Sequence, residues 1–241
     1  MSVHTRAFAP QPLARPSGDA APHRAYDIGW LDAEGAARWD TRRLPAVPAL
    51  EAAVAMFGLG TPLDTPRGPV PVEDLQPGDV VRSDRGDTAI QWIGIRVFPA
   101  AEPRPALYRV SARAFGDGRP TGPLVLGAGA SLLVTGPACR PFAGGEAAFV
   151  PIAAREDGMA VAELSPPGDV TLFGVALRDH GAVLAGGVPV GAWHPARSVA
   201  MTLTRDGLRD VARLCPPAEE GGFGPVRIPH LTLAEGRDLV G

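Results

Sequence analysis

Hydrophobic positions in this chain come in short runs rather than long stripes. From about residue 61 to 195 the runs DVV, TAIQWIGI, ALYRV, LVL, SLLV, AFVPI, MAVAEL, VTLFGVAL and GAVLAGG are separated by Gly, Pro and Asp. Runs of this length, broken at such short intervals by turn formers, predict strands of a sandwich or barrel-like β fold. Gly186-Gly187, between AVLA and VPV, predicts a tight hairpin. Two segments read differently. Leu50, Ala53, Val54 and Phe57 recur at helical spacing after Pro48, which suits a first helical turn, so a helix is expected over 48–57. A second helix is expected over 204–214, with Leu208, Val211 and Leu214 on one side and Pro216-Pro217 ending it. The expected class is all-β with short flanking helices.

Composition sharpens this. The 30 glycines and 27 prolines among 241 residues shorten helices and favour turns. A net charge of −3 gives no reason to expect nucleic acid as a partner. No apolar run approaches the roughly 20 residues of a membrane span, and the opening residues lack the apolar core of a secretory signal. A cytoplasmic location is therefore the expectation. Residues 1–25 read as a loose Pro/Ala-rich tail. The stretch after them, with Trp30 and Trp39, reads as an arm packing on the main domain. Cys139 and Cys215 have no metal-like spacing and are expected as free thiols. The chain contains neither lysine nor asparagine.

The segment Gly60-Thr61-Pro62-Leu63-Asp64-Thr65-Pro66-Arg67-Gly68, followed by Val72-Glu73-Asp74-Leu75-Gln76-Pro77-Gly78-Asp79-Val80-Val81, resembles the opening of Hint (hedgehog/intein) domains, most of all stand-alone bacterial ones. In physical terms, a strand reaches a turn at Arg67-Gly68. Val72 and Leu75 then fall inward, and Pro77-Gly78-Asp79 fits a type II turn. Trp92-Ile93-Gly94 and the approach at Leu124-Val125-Leu126 are similar to later family motifs. The resemblance covers about residues 56–195. It implies a Hint-type β domain over 48–195, preceded by a tail and arm (1–47) and followed by a C-terminal extension (196–241).

The family's chemistry needs a Cys that attacks the preceding carbonyl, a Thr/Ser-x-x-His that polarises that peptide, a later His, and in inteins a terminal His-Asn pair that cyclises. Here the Cys position reads Met56, whose thioether cannot become a thiolate. The second motif reads Gly127-Ala128-Gly129-Ala130, without hydroxyl or imidazole. His180 falls at the third position. His194 is followed by Pro195, and with no Asn in the chain that cyclisation is excluded. Met56, Thr61, Gly127, Ala130, His180 and His194 are thus expected to line a vestigial pocket with no intact catalytic set. On its own residues, His180 reads as a hydrogen-bonded turn histidine and Met56 as core filler.

Three functions compete. The first is a structural or interaction module that has lost autoprocessing and binds a protein partner. The second is a self-cleaving endopeptidase using Thr61 or Ser131, which would need a base such as His180 supplied by the fold. The third is a small-ligand module lined by Met56, Ala130, His180 and His194. No cofactor or metal is expected: the acids Glu73, Asp74 and Asp79 read as turn and cap residues. Gly127–Ser131 lacks the Gly-Lys-Ser/Thr ending of a phosphate loop. Restoring Met56→Cys, Gly127→Thr and Ala130→His together is expected to bring back slow thiol-dependent cleavage.

Overall fold

The computed structural model describes residues 21–200, 204–219 and 222–241. Fifteen strands occur among them. β1 (His23–Leu31) and β2 (Ala37–Pro45) form an N-terminal hairpin. β3 (Phe57–Gly58), β4 (Pro62–Thr65), β5 (Gly68–Pro71), β6 (Val80–Ser83) and β7 (Gly86–Phe98) follow. Then come β8 (Leu107–Val110), β9 (Leu124–Gly127), β10 (Ser131–Thr135), β11 (Ala147–Pro151) and β12 (Val161–Leu164), with β13 (Val170–Leu177), β14 (Ala182–Ala185) and β15 (Val188–Gly191) last. Helices are short: α1 (Pro48–Val54), α2 (Arg140–Ala143), α3 (Pro195–Ala200), α4 (Arg205–Leu214) and α5 (Leu233–Val240). None is long and apolar enough to cross a membrane.

The long strand β7 organises the sheet. Its first residues pair antiparallel with β6, and Ile90 onward pairs with β13, so one strand serves two halves of a path that runs β11-β10-β15-β14-β6-β7-β13-β3-β9-β8-β12. The hairpin at Gly186-Gly187 is present, and both glycines adopt the positive φ that a two-residue hairpin turn requires. Arg67-Gly68 closes β4 onto β5, and Val72 and Leu75 point inward as expected.

Several expectations change. The first helix ends at Val54, and Phe57 lies instead in β3, paired with Leu126 and Phe173. In α4, Val211 and Leu214 are buried but Leu208 is exposed. Helices α3 and α5 were not expected. Residues 23–25, expected in the loose tail, belong to β1, which begins at His23; residues 1–20 of that tail lie outside the described residues. The arm does pack on the domain. β1 pairs with β7 as well as β2, burying Tyr26 and Ile28.

Two glycines let α1 sit flat on the sheet. Gly174 of β13 stands opposite Gly94 of β7. A Cβ on Gly174 would lie 1.9 Å from the Ala53 carbonyl oxygen, and one on Gly94 would meet the Trp92 ring at 2.3 Å and Val54 at 2.9 Å. Leu50, Ala53 and Val54 thereby reach full burial.

Arm, helix and sheet are also joined by charge. Arg96 of β7 is buried, pairs with Glu51 of α1 and reaches Glu102 at 3.5 Å. Its guanidinium lies 4.1 Å from the Phe98 ring centroid. Tyr26 of β1 donates its hydroxyl hydrogen bond to Glu51. Removing one partner of a buried ion pair strands the other charge. Glu51→Ala is therefore expected to lower unfolding stability by roughly 2–3 kcal/mol, read by urea denaturation; a change within about 0.5 kcal/mol would show that Glu102 alone suffices.

Candidate functional site

The Met56 position is at the junction of α1 and β3, in the middle of the core. Met56 is fully buried and Ala55 is 2% exposed. The backbone there is held on every side. The Met56 N–H donates to the Phe173 carbonyl at 3.3 Å, and its own carbonyl accepts from Gly127 N–H at 2.8 Å. The Ala55 carbonyl accepts from Gly129 N–H at 2.8 Å. A hydrogen-bond donor thus polarises the carbonyl that a nucleophile at 56 would attack, yet the side chain present is a thioether without a proton to lose.

The loop carrying the second motif faces this peptide with backbone only. A Cβ on Gly127 would lie 2.4 Å from the Ala55 oxygen, and one on Gly129 would lie 2.4 Å from the Ala52 oxygen. Glycine is required here by close backbone approach. Ala130 is buried beside them, its N–H donating to the Gly127 carbonyl and its carbonyl accepting from Ile152. This geometry corrects the restoring triple change: a threonine at 127 cannot enter without pushing α1 away from β9.

The two alternative hydroxyl nucleophiles are placed as follows. Thr61 is buried and donates to the Val125 carbonyl at 2.8 Å. Ser131 is buried at the start of β10, and its hydroxyl makes no hydrogen bond among the described residues. Both cysteines are free and buried, and burial pushes the Cys215 thiol well above its ordinary value, away from thiolate.

His180 and His194 gather elsewhere, around Phe149 and His230. His180 lies edge-on to His194 at 5.2 Å between centroids and to Phe149 at 5.3 Å, while His230 stacks on Phe149 at 4.7 Å. Arg197 of α3 links the two groups. It donates to the Gly129 carbonyl at 3.1 Å, and its charge adds to the burial and the His194 neighbour that depress His180 to about 4. Met56 and Gly127 are thus joined by a backbone hydrogen bond, with Ala130 bonded to Gly127, whereas His180 and His194 form a separate group that Arg197 relates to the Gly129 carbonyl. Imidazole Nδ1 of His180 accepts from the Arg227 and Ile228 N–H groups at 3.2 and 3.3 Å, and His194 Nε2 meets the Gly224 carbonyl at 2.9 Å. His180 is thus a hydrogen-bonded histidine at a strand end, with its partners on the C-terminal segment. Nothing in the local sequence marks Arg197 or His230. One sits in an unexpected helix, and the other follows a mixed stretch with no periodicity. Among the described residues no group of three or more His, Cys, Asp or Glu could hold a metal ion.

Among solved structures the chain is similar to the MchDnaB-1 intein, at 15% identity and a TM-score of 0.35, over 57% of this chain and 99% of that one. It is likewise similar to the gp41-1 intein, at 15% identity and a TM-score of 0.34, over 57% of this chain and 98% of that one. No curated protein matches it in sequence. The family model described as the Hint domain matches residues 55–197, from the buried Ala55–Met56 junction to Arg197 and so across more than half of the chain. The chain belongs to the Hint domain family.

Proposed function

We propose that this Hint domain no longer processes its own chain and acts as a structural or protein-interaction module. The observation that carries this is what lies upstream of the Ala55–Met56 bond. Leu50, Ala53 and Val54 of α1, and Tyr26, Ile28 and Leu44 of the arm, are fully buried in the same core as β3 and β13. In a processing domain the segment before the nucleophile is what leaves. Here it is part of the folding core.

Further support is chemical. The thiol at position 56, a hydroxyl-x-x-His and asparagine are all missing, and groups that act as a unit lose most of their rate with the first member. Thr61 gives its proton to a backbone carbonyl. An added thiol or hydroxylamine meets a peptide with almost no accessible surface. Purified protein incubated with dithiothreitol or hydroxylamine at neutral pH is expected to keep its full-length intact mass. A fragment ending at Ala55 would overturn the proposal.

A further inference from the structure

The last described segment, residues 222–241, closes an open edge of the sheet. β11 is the terminal strand of the path and pairs with β10 on one side only. On its other side Phe149 N–H donates to the Pro229 carbonyl, and Leu231 N–H donates to the Phe149 carbonyl, each at 2.9 Å. Residues 229–231 thus extend the sheet as a short parallel bridge, covering an edge that would otherwise offer unpaired backbone groups. Downstream, α5 packs on the turn Ile152–Arg155. A Cβ on Gly236 would meet Ala154 at 3.0 Å and Val150 at 3.1 Å.

Upstream of the bridge the segment is held by imidazoles. His180 Nδ1 is an acceptor for two backbone N–H groups, those of Arg227 and Ile228. His194 Nδ1 accepts from Ala196 N–H at 3.3 Å, which leaves Nε2 to donate to the Gly224 carbonyl. With both Nδ1 atoms accepting, each ring carries its proton on Nε2 and is neutral. A second proton on His180 would set an N–H against two N–H donors. We propose that His180 and His194 form a proton-operated latch holding residues 222–241 over the edge of β11, and that acidification releases this segment while the β-core stays folded.

The surroundings favour release. His180 faces His194 from the loop after β15, Phe149 from β11, His230 and Arg227 from the segment itself, and Arg197 from α3. Its own stretch adds Arg178, whose carbonyl accepts from Gly224 N–H, and Asp179, whose carboxylate lies beside Gly224. Burial, then the His194 and Arg197 neighbours, hold His180 at about 4. His230, by burial and then Arg197, His180 and His194, is held at about 3. Burial lowers His194 too, against the opposing pull of the Gly224 carbonyl. On release His230 leaves with the segment while His180 and His194, which stay with the core, lose its cover and gain solvent, so the rings move back towards the ordinary value of about 6.5. The latched pKa values lie below the released ones, so opening takes up protons. The latch is at full strength above about pH 7 and weakens as pH falls from ~6.5 towards 4, by up to about tenfold per pH unit for each histidine.

Amide hydrogen exchange on the full chain tests this, with rates corrected for intrinsic pH dependence. Between pH 6.5 and 4.5 the opening constant of amides in 224–231 is expected to rise at least ~50-fold, with β7 and β13 amides staying protected. In His180→Asn the side-chain oxygen accepts from the same two N–H groups and does not titrate. That variant should stay latched at pH 7 and lose about tenfold or more of the rise. His194→Gln, which keeps a donor for the Gly224 carbonyl, should reduce the rise as well. Exchange in 224–231 that is constant from pH 7 to 4.5 in the wild type would overturn the latch. So would opening that matches the core amides at every pH, or a rise unchanged in both variants.

Discussion

Gly174→Val is expected to destabilise the protein by roughly 3–4 kcal/mol and to lower the thermal midpoint by about 6–15 °C. The cause is a backbone-on-backbone contact. At this position in β13 a Cβ would sit 1.9 Å from the Ala53 carbonyl oxygen and 3.1 Å from the Trp92 ring. Neither neighbour is the free end of a flexible side chain. Ala53 belongs to the fully buried face of α1, and Trp92 is fixed by its indole N–H donating to the Leu214 carbonyl at 2.8 Å and by its tilted packing on Trp193 at 4.8 Å. The variant must therefore lift α1 off the sheet, uncovering Leu50 and Val54. Gly122→Ala is the control: it has no positive φ and open space around it, so it should stay within about 0.5 kcal/mol of wild type. Equal effects at the two positions would show that loss of glycine freedom, rather than the α1 contact, sets the cost.

The second large effect concerns the attempt to restore chemistry. Met56→Cys alone removes side-chain volume from a buried site and should cost about 1–2 kcal/mol, leaving a folded, uncleaved protein. Burial keeps such a thiol protonated, and the neighbouring loop supplies no imidazole to accept its proton. Adding Gly127→Thr and Ala130→His should cost a further 3 kcal/mol or so, because the threonine Cβ begins 2.4 Å from the Ala55 oxygen. The triple variant is expected to lose its fold before it gains activity. Urea denaturation and intact mass after dithiothreitol check both halves. A triple variant with wild-type stability and clean cleavage at Ala55 would mean that α1 moves aside at little cost, and the clearance argument at Gly127 would fall with it.

What the sequence by itself determined is the covalent inventory and the local texture. Short apolar runs between Gly and Pro announced the strands, and Gly186-Gly187 marked its hairpin because only residues tolerant of positive φ fit that turn. That Met56, Gly127 and Ala130 carry no side-chain proton to give or take is also plain from residue type alone. Other features were written in the chain but weakly. Tyr26 and Ile28 alternate inward along β1, and Thr232 and Glu235 form a capping box at the start of α5. Each signal spans only a few residues and competes with nearby Gly and Pro.

The tertiary structure decided everything that depends on distance. It alone turned Gly127, Gly129 and Gly174 from missing side chains into required clearances, because a Cβ clash exists only once α1 is laid against β9 and β13. It also settled the partners of His180 and His194, which lie 30 to 48 residues away in a segment with no periodic pattern. Hydrogen bonds to backbone carbonyls and N–H groups leave no trace in residue type, since every residue except proline carries both. For the same reason the paired charges of Glu51 and Arg96, 45 residues apart, become an ion pair only when α1 lies across β7. Local propensity is legible one residue at a time, whereas packing contacts are properties of pairs brought together by the fold.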